Sequence, residues 1–207
     1  QLVLTDVGTV EGENYIAAKS AAFTLGPNGT SPLELSSAYA TVANGGRYCP
    51  PTPLLKVLGP DGKQIGLPER TCEQRISPGI AHTVAAVLEK DTSKAGGTAV
   101  SAFSGLAGGS RPIGGKTGTA SGFRPGDTKR ATGNSSAWFV GFTPDYAGAT
   151  AVFDPTTTSQ ALTDVPGKEG QNVFGAYSAA IWRNAMQPFL ENRSWSFPPA
   201  DPAVVNG

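Results

Sequence analysis

An α+β fold, an antiparallel sheet flanked by helices, is what this sequence predicts. Three observations carry the prediction. Three strand-like runs, near 112–121, 135–143 and 147–154, follow one another with turns or loops between them, so they pair as an antiparallel meander. Stretches with helical spacing of apolar residues bracket them at 32–44, 78–90 and 176–190. The chain has 207 residues, enough to bury one core.

Taken in order, residues 1–30 read as irregular, with one short helical piece near 14–23. The first firm helix follows. Ser31 is its N-cap, Pro32 suits the first helical position, and Glu34 closes a capping box. Leu35, Ala38, Tyr39 and Val42 share one face, and Asn44-Gly45-Gly46 supplies a left-handed stop. A hairpin over 53–66 turns at Pro60-Asp61-Gly62. Ser77-Pro78 opens a second helix, with Ile80, Val84, Val87 and Leu88 as its apolar face. A short helix at 98–106 lies between the glycine-rich flanks 95–97 and 108–109. After the three strands, 159–172 is a polar loop. The last helix carries Tyr177, Ile181, Ala185 and Phe189 on one face. The tail, 192–207, contains prolines and is expected to be extended and poorly ordered.

Composition narrows the function. The chain has 16 basic and 16 acidic side chains, so it presents no charge excess for nucleic acid or an anionic surface. No apolar run is long enough to span a bilayer, and no signal-peptide pattern is present. One histidine, His82, and two cysteines argue against a metal site, and no cofactor is expected. The lone histidine, near a helix start, reads as structural or exposed, and with one histidine in this place no Ser-His-Asp triad is credible. The glycine-rich stretch at 105–109 lacks a phosphate-loop lysine.

The most telling run is Gly114-Gly115-Lys116-Thr117-Gly118-Thr119-Ala120. It sets an ammonium and two hydroxyls beside flexible glycine backbone at the start of a strand. Such a group can bind a carboxylate and polarise a nearby proton. By the two-residue strand period, Thr117 and Thr119 point to one face, and Gly118 leaves the other face bare between them. Read from the residues alone, a solvated strand lysine and ordinary strand threonines remain open.

The surrounding blocks separate these readings. The run resembles the Lys-Thr-Gly box of penicillin-recognising serine enzymes. The helix S-P-L-E-L…A-Y-A-T-V-A-N-G-G before it, the strand W-F-V-G-F-T-P-D after it and the closing I-W-R-N-A-M helix stand in that family's order. Together they resemble the C-terminal half of the transpeptidase domain of a penicillin-binding protein, from about residue 21 to 190. The W-F-V-G-F-T-P form is closer to the bifunctional, class A type. The fold implied is that of penicillin-binding transpeptidases and serine β-lactamases, with helices on both faces of the sheet.

The family's other two boxes, S-x-x-K with the nucleophile and S-x-N, are absent. No serine here has lysine three residues later or asparagine two residues later. Both boxes precede Lys-Thr-Gly in the family, so they are expected before Gln1, in an N-terminal half that would be this chain's partner. The resemblance implies that residues 1–191 are the C-terminal part of the domain. Alone they would be inactive and would expose a sheet edge, so stability is expected only with the other half bound.

The resemblance also assigns roles. Lys116, Thr117 and Gly118 are the catalytic box. Lys116 holds a substrate carboxylate and lowers the proton affinity of a neighbouring serine or lysine. Thr119, with Ala120 and Gly115 beside it, is implied in substrate binding. Its hydroxyl meets the carboxylate of a β-lactam or peptide terminus, and its N–H is one oxyanion donor. From the residues, Gly115 permits close helix–strand packing or is a plain bulge glycine. Trp138, Phe139, Phe142 and Trp182 read as core. The segment 121–134 is a solvated hairpin loop or, with Arg124, Lys129 and Arg130, a cationic rim for an anionic stem peptide.

Cys49 and Cys72 flank the hairpin of 53–66 and could be a clamp or two buried thiols. The resemblance places the domain on the extracytoplasmic face of the membrane, and so implies the disulfide. The function implied is D,D-transpeptidation: cross-linking of peptidoglycan stem peptides, with acylation by β-lactams. The alternatives are a D-Ala-D-Ala carboxypeptidase of the same fold group and a non-catalytic wall-binding module.

Overall fold

The computed structural model describes residues 9–10, 13–14, 29–67, 69–104, 111–124, 126–127 and 132–207. The helical piece expected near 14–23 lies outside them, apart from Asn14, which is in a strand. In chain order the strands are β1 (Thr9–Val10), β2 (Glu13–Asn14), β3 (Arg47–Tyr48), β4 (Val57–Leu58), β5 (Gln64–Ile65), β6 (Glu73–Gln74), β7 (Gly114–Gly122), β8 (Gly133–Phe142) and β9 (Ala147–Phe153). The helices are α1 (Pro32–Ala43), α2 (Pro78–Ser93), α3 (Val100–Phe103), α4 (Gly175–Leu190) and α5 (Pro202–Asn206).

The expected meander is the main sheet, in the order β7-β8-β9, antiparallel throughout. Thr117 pairs with Phe139 and Thr119 with Ala137, so these four side chains share a face. That face carries α3 and α4. Phe139 packs there with Phe103, Ala179 and Trp182. The opposite face carries α1 and α2, where Phe142 packs with Val42 and Ala85. Helices therefore cover both faces, as expected.

α1 is built as its sequence dictates. The Glu34 N–H donates to Ser31 Oγ at 3.2 Å, and the Ser31 N–H donates back to Glu34 Oε2 at 3.3 Å. Gly45 and Gly46 close the helix at φ 60° and 87°. The hairpin of 53–66 is present but short, as β4 paired with β5. Cys49 and Cys72 are joined by a disulfide, and β3 pairs with β6 just beside it.

Two helix faces match expectation only in part: Val84 and Leu88 of α2 and Tyr177 of α4 pack against the core, but the other bulky residues expected there do not. On α2 the buried positions are Ala81, Ala85 and Thr92, whereas Ile80 is 43% and Val87 57% exposed. On α4 they are Gly175, Ser178, Ala179, Trp182 and Leu190, whereas Phe189 is exposed. Small residues let the helix backbones approach the sheet, while Ile80, Val87 and Phe189 ride at the rim. Trp182 shows how tight the approach is. Its indole fills a notch over Gly141 and Gly148, where a Cβ would come within 2.8 and 3.1 Å of it. Its N–H donates to the Gly148 carbonyl at 3.0 Å.

The tail is extended over 193–201, but it is seated on the body rather than loose. The Trp195 indole N–H donates to the Pro112 carbonyl at 2.6 Å, and Phe197 packs on Phe142 with ring centroids 5.3 Å apart. The Asp201 N–H donates to Thr83 Oγ1 at 3.0 Å, next to α5. The expectation of poor order gave weight to the prolines and overlooked these two aromatic anchors.

Candidate active site

The site is built on β7, which pairs with β8 on one side only among the described residues. Two glycines make its start possible. The rings of Phe142 and Phe139 lie where side chains at Gly114 and Gly115 would be. A Cβ on Gly115 would come within 2.5 Å of Phe139 Cζ and 2.8 Å of the Val140 carbonyl. Gly115 is buried, and the close packing it allows is with a ring of the neighbouring strand rather than with a helix. Beyond it, Lys116, Thr119 and Ala120 are exposed and Thr117 and Gly118 half-buried.

Lys116 and Thr117 meet directly. Lys116 Nζ donates to the Thr117 carbonyl at 3.0 Å and to Thr117 Oγ1 at 3.3 Å. Thr117 and Thr119 share a face, as expected, and it is the face that α4 covers. A Cβ on Gly175, the first residue of α4, would lie 2.6 Å from Thr117 Cβ, and the Gly175 N–H donates to Thr119 Oγ1 at 3.2 Å. Thr119 thus caps α4, whose own N-cap residue, Phe174, offers no side-chain acceptor.

The orientation of the strand backbone follows from one contact. The Thr117 N–H donates to Asp91 Oδ2 at 3.3 Å, away from β8. Alternate N–H groups of a strand point the same way, so the Thr119 N–H is also aimed at the outer edge. The side chain of Lys116 lies on the other face, where Trp138 covers the bare position of Gly118. Trp138 is not core, contrary to expectation. It is half-buried and stacks on Phe153 with centroids 6.3 Å apart and planes 5° from parallel. Phe139, Phe142 and Trp182 are core.

Sequence reasoning also missed Asp91 and Thr98. Asp91 Oδ1 accepts from the Thr98 N–H at 2.8 Å and from the Thr98 hydroxyl at 2.7 Å, and the Thr98 and Thr117 hydroxyls touch. A signal was available: an acid in the last turn of a helix opposes the helix dipole. Burial pushes the Tyr39 phenol above its ordinary range, and the negative charge of Asp91 adds to the effect.

Of the cationic rim, Arg124 is held by Asn172, from its guanidinium at 3.2 Å, while Lys129 and Arg130 lie outside the described residues. A cavity of about 230 Å³ lies elsewhere, between the end of α1 and the β8–β9 turn, lined by Asn44, Arg47 and Pro144 among others. No group of metal-ligating side chains occurs among the described residues, and no helix there is long and apolar enough to cross a membrane.

Comparison with known proteins gives this geometry its setting. Residues 1–186 match the family described as the penicillin binding protein transpeptidase domain. Penicillin-binding protein 1A of Mycobacterium tuberculosis is 32% identical over 174 residues, 82% of this chain and 19% of that protein. The solved structure of PonA1 from Mycobacterium tuberculosis superposes with a TM-score of 0.71 at 30% identity, covering 91% of this chain and 45% of that one. A second PonA1 structure, in complex with penicillin V, superposes with a TM-score of 0.70 at 29% identity, over the same shares. The chain therefore spans a minor part of the relatives it matches. It belongs to the penicillin-binding protein transpeptidase family.

Proposed function

We propose that this chain is the Lys-Thr-Gly part of a serine D,D-transpeptidase that cross-links peptidoglycan stem peptides outside the cytoplasmic membrane and is acylated by β-lactams. Its partner is a preceding segment with the S-x-x-K and S-x-N boxes. The observation that carries the reading is the outer edge of β7, where Lys116, Thr117, Gly118 and Thr119 stand together with the Thr119 N–H aimed outward. An extended peptide can lie along that edge as a further strand.

In this reading a serine of the preceding segment attacks the penultimate D-Ala carbonyl. Lys116 and the Thr119 hydroxyl hold the terminal carboxylate, and the Thr119 N–H donates to the developing oxyanion. The terminal D-Ala departs as the ester forms. The amine of a neighbouring stem then displaces the serine and completes the cross-link. A β-lactam presents its own carboxylate and carbonyl to the same groups, but its amine stays tethered after ring opening. That the relative PonA1 has been solved with penicillin V supports the assignment.

The test is the rate of acylation by a penicillin in the full-length protein that carries this chain. Lys116→Ala is expected to lower the rate about a hundredfold, the scale of removing one preorganised charge or oxyanion donor. A rate unchanged by that substitution would overturn the reading.

A further inference from the structure

We propose that Asp91 is a positioning residue for this site, acting through Thr98 on Thr117 and Lys116. The inference rests on the reading above, in which Lys116 anchors a carboxylate.

The hydrogen bonds fix their own direction. A carboxylate only accepts, so the Thr98 hydroxyl gives its single hydrogen to Asp91 Oδ1. In the contact between the Thr98 and Thr117 hydroxyls, the donor is therefore Thr117. With its hydrogen spent, Thr117 Oγ1 can only accept, and it accepts from the Lys116 ammonium. The chain runs one way, from Lys116 through Thr117 and Thr98 to Asp91, with a positive charge at one end and a negative charge at the other. Such chains strengthen each of their members.

Two consequences follow for the site. The Thr117 hydroxyl cannot turn to donate to a ligand, and it serves instead to hold the ammonium against the strand. The other carboxylate oxygen of Asp91 occupies the Thr117 N–H at the outer edge. Along that edge the next outward N–H is that of Thr119, so Asp91 sets where an extended ligand can begin to pair.

The fold goes to some length to place this acid. Asp91 sits in the last turn of α2 against the helix dipole. The chain then doubles back so that Thr98 and Ala99 return to it, with the Ala99 N–H donating to the Asp91 carbonyl at 3.1 Å. Gly97 makes the return possible, since a Cβ there would come within 2.5 Å of the Asp91 carbonyl oxygen and 2.6 Å of that of Lys90.

The experiment compares acylation of the full-length protein by a penicillin and by its neutral methyl ester. The readout is the ratio of the two rates, which a general loss of structure lowers in neither direction. Asp91→Asn and Thr98→Val are expected to lower the carboxylate preference about tenfold, and Thr98→Ser to keep it within about twofold, because only serine restores the hydroxyl link. Thr98 is exposed, so Thr98→Val keeps the test open if Asp91→Asn fails to fold. A wild-type ratio in Thr98→Val, whether or not both rates fall together, would overturn the inference. Lys116→Ala separates it from the reading beneath. If that variant loses the preference while Thr98→Val keeps it, only the role of Asp91 fails. If Lys116→Ala keeps it, the carboxylate anchor fails and Asp91 with it.

Discussion

Thr119→Val removes one oxygen that serves two purposes, and the structure sets the size of both effects. The Thr119 hydroxyl accepts from the Gly175 N–H at 3.2 Å, and Gly175 is buried. Valine has the same shape and cannot accept, so the first N–H of α4 would be left without a partner. An unsatisfied buried donor costs about 1–3 kcal/mol, and loss of a helix cap about 1 kcal/mol, so a loss of about 1–2 kcal/mol is expected. In a domain of this size each kcal/mol lowers the melting temperature by about 2–4 °C. The same substitution bears on ligand binding. Accepting from Gly175 uses a lone pair and leaves the hydroxyl hydrogen free to meet a carboxylate. Thr119→Val is thus expected to lower both the melting temperature and the rate of acylation by a penicillin, while Thr119→Ser largely preserves both. Thermal melts and acylation rates on the full-length protein read the two effects separately. A melting temperature for Thr119→Val within about 1 °C of wild type would refute the capping argument, since it lies below the smallest loss expected.

Three further expectations come from other parts of the molecule. The disulfide closes a loop with a sequence separation of 23, for which the chain-entropy model gives about 3 kcal/mol; thiol titration of the unfolded, unreduced chain should find none free, and Cys49→Ala with Cys72→Ala should lower stability by about that amount in denaturant melts. Asp154 is held at about 2, below its ordinary 3.8, first by the Thr156 hydroxyl and then by Thr157 and the adjoining backbone. A depressed carboxyl contributes stability above its unfolded value and loses it as the pH falls from there toward 2, so an NMR titration should find a midpoint near 2 that Thr156→Val raises; an ordinary midpoint in the wild type would contradict the turn. Trp195→Ala should loosen the tail and expose it to proteolysis, because it removes both the ring packed on the core and the bond to Pro112; cleavage at the wild-type rate would show that the anchor contributes nothing.

What the sequence revealed, and what it hid, divides along physical lines. The capping box of α1, the glycine stop at 45–46 and the three-strand meander depend on local chemistry, and each stands where local chemistry placed it. The strand period alone put Thr117 and Thr119 on one face. The inward faces of α2 and α4 were read correctly only in part, at Val84, Leu88 and Tyr177, because hydrophobic spacing ranks Ile80 and Phe189 above Ala81 and Ser178, whereas close approach to a sheet rewards small side chains. Trp138 was misplaced because its neighbours Phe139 and Phe142 are core; the strand period puts it on the face opposite Phe139, but only the structure shows that it is left half-buried there, stacked on Phe153. Asp91 and Thr98 were hidden for another reason. They meet Thr117 across separations of 26 and 19 residues, and a single sequence carries no record of such a meeting.

The most direct test of the central claim is labelling with a fluorescent penicillin, followed by a denaturing gel and peptide mass mapping. It would be applied to this chain alone and to the full-length protein that carries it. The account predicts no label on the isolated 21.2 kDa chain. It predicts a label on the full-length protein, borne by a serine that precedes Gln1 and acquired far more slowly when Lys116 is replaced by alanine. A label on a serine within residues 1–207, or undiminished labelling of Lys116→Ala, would contradict it.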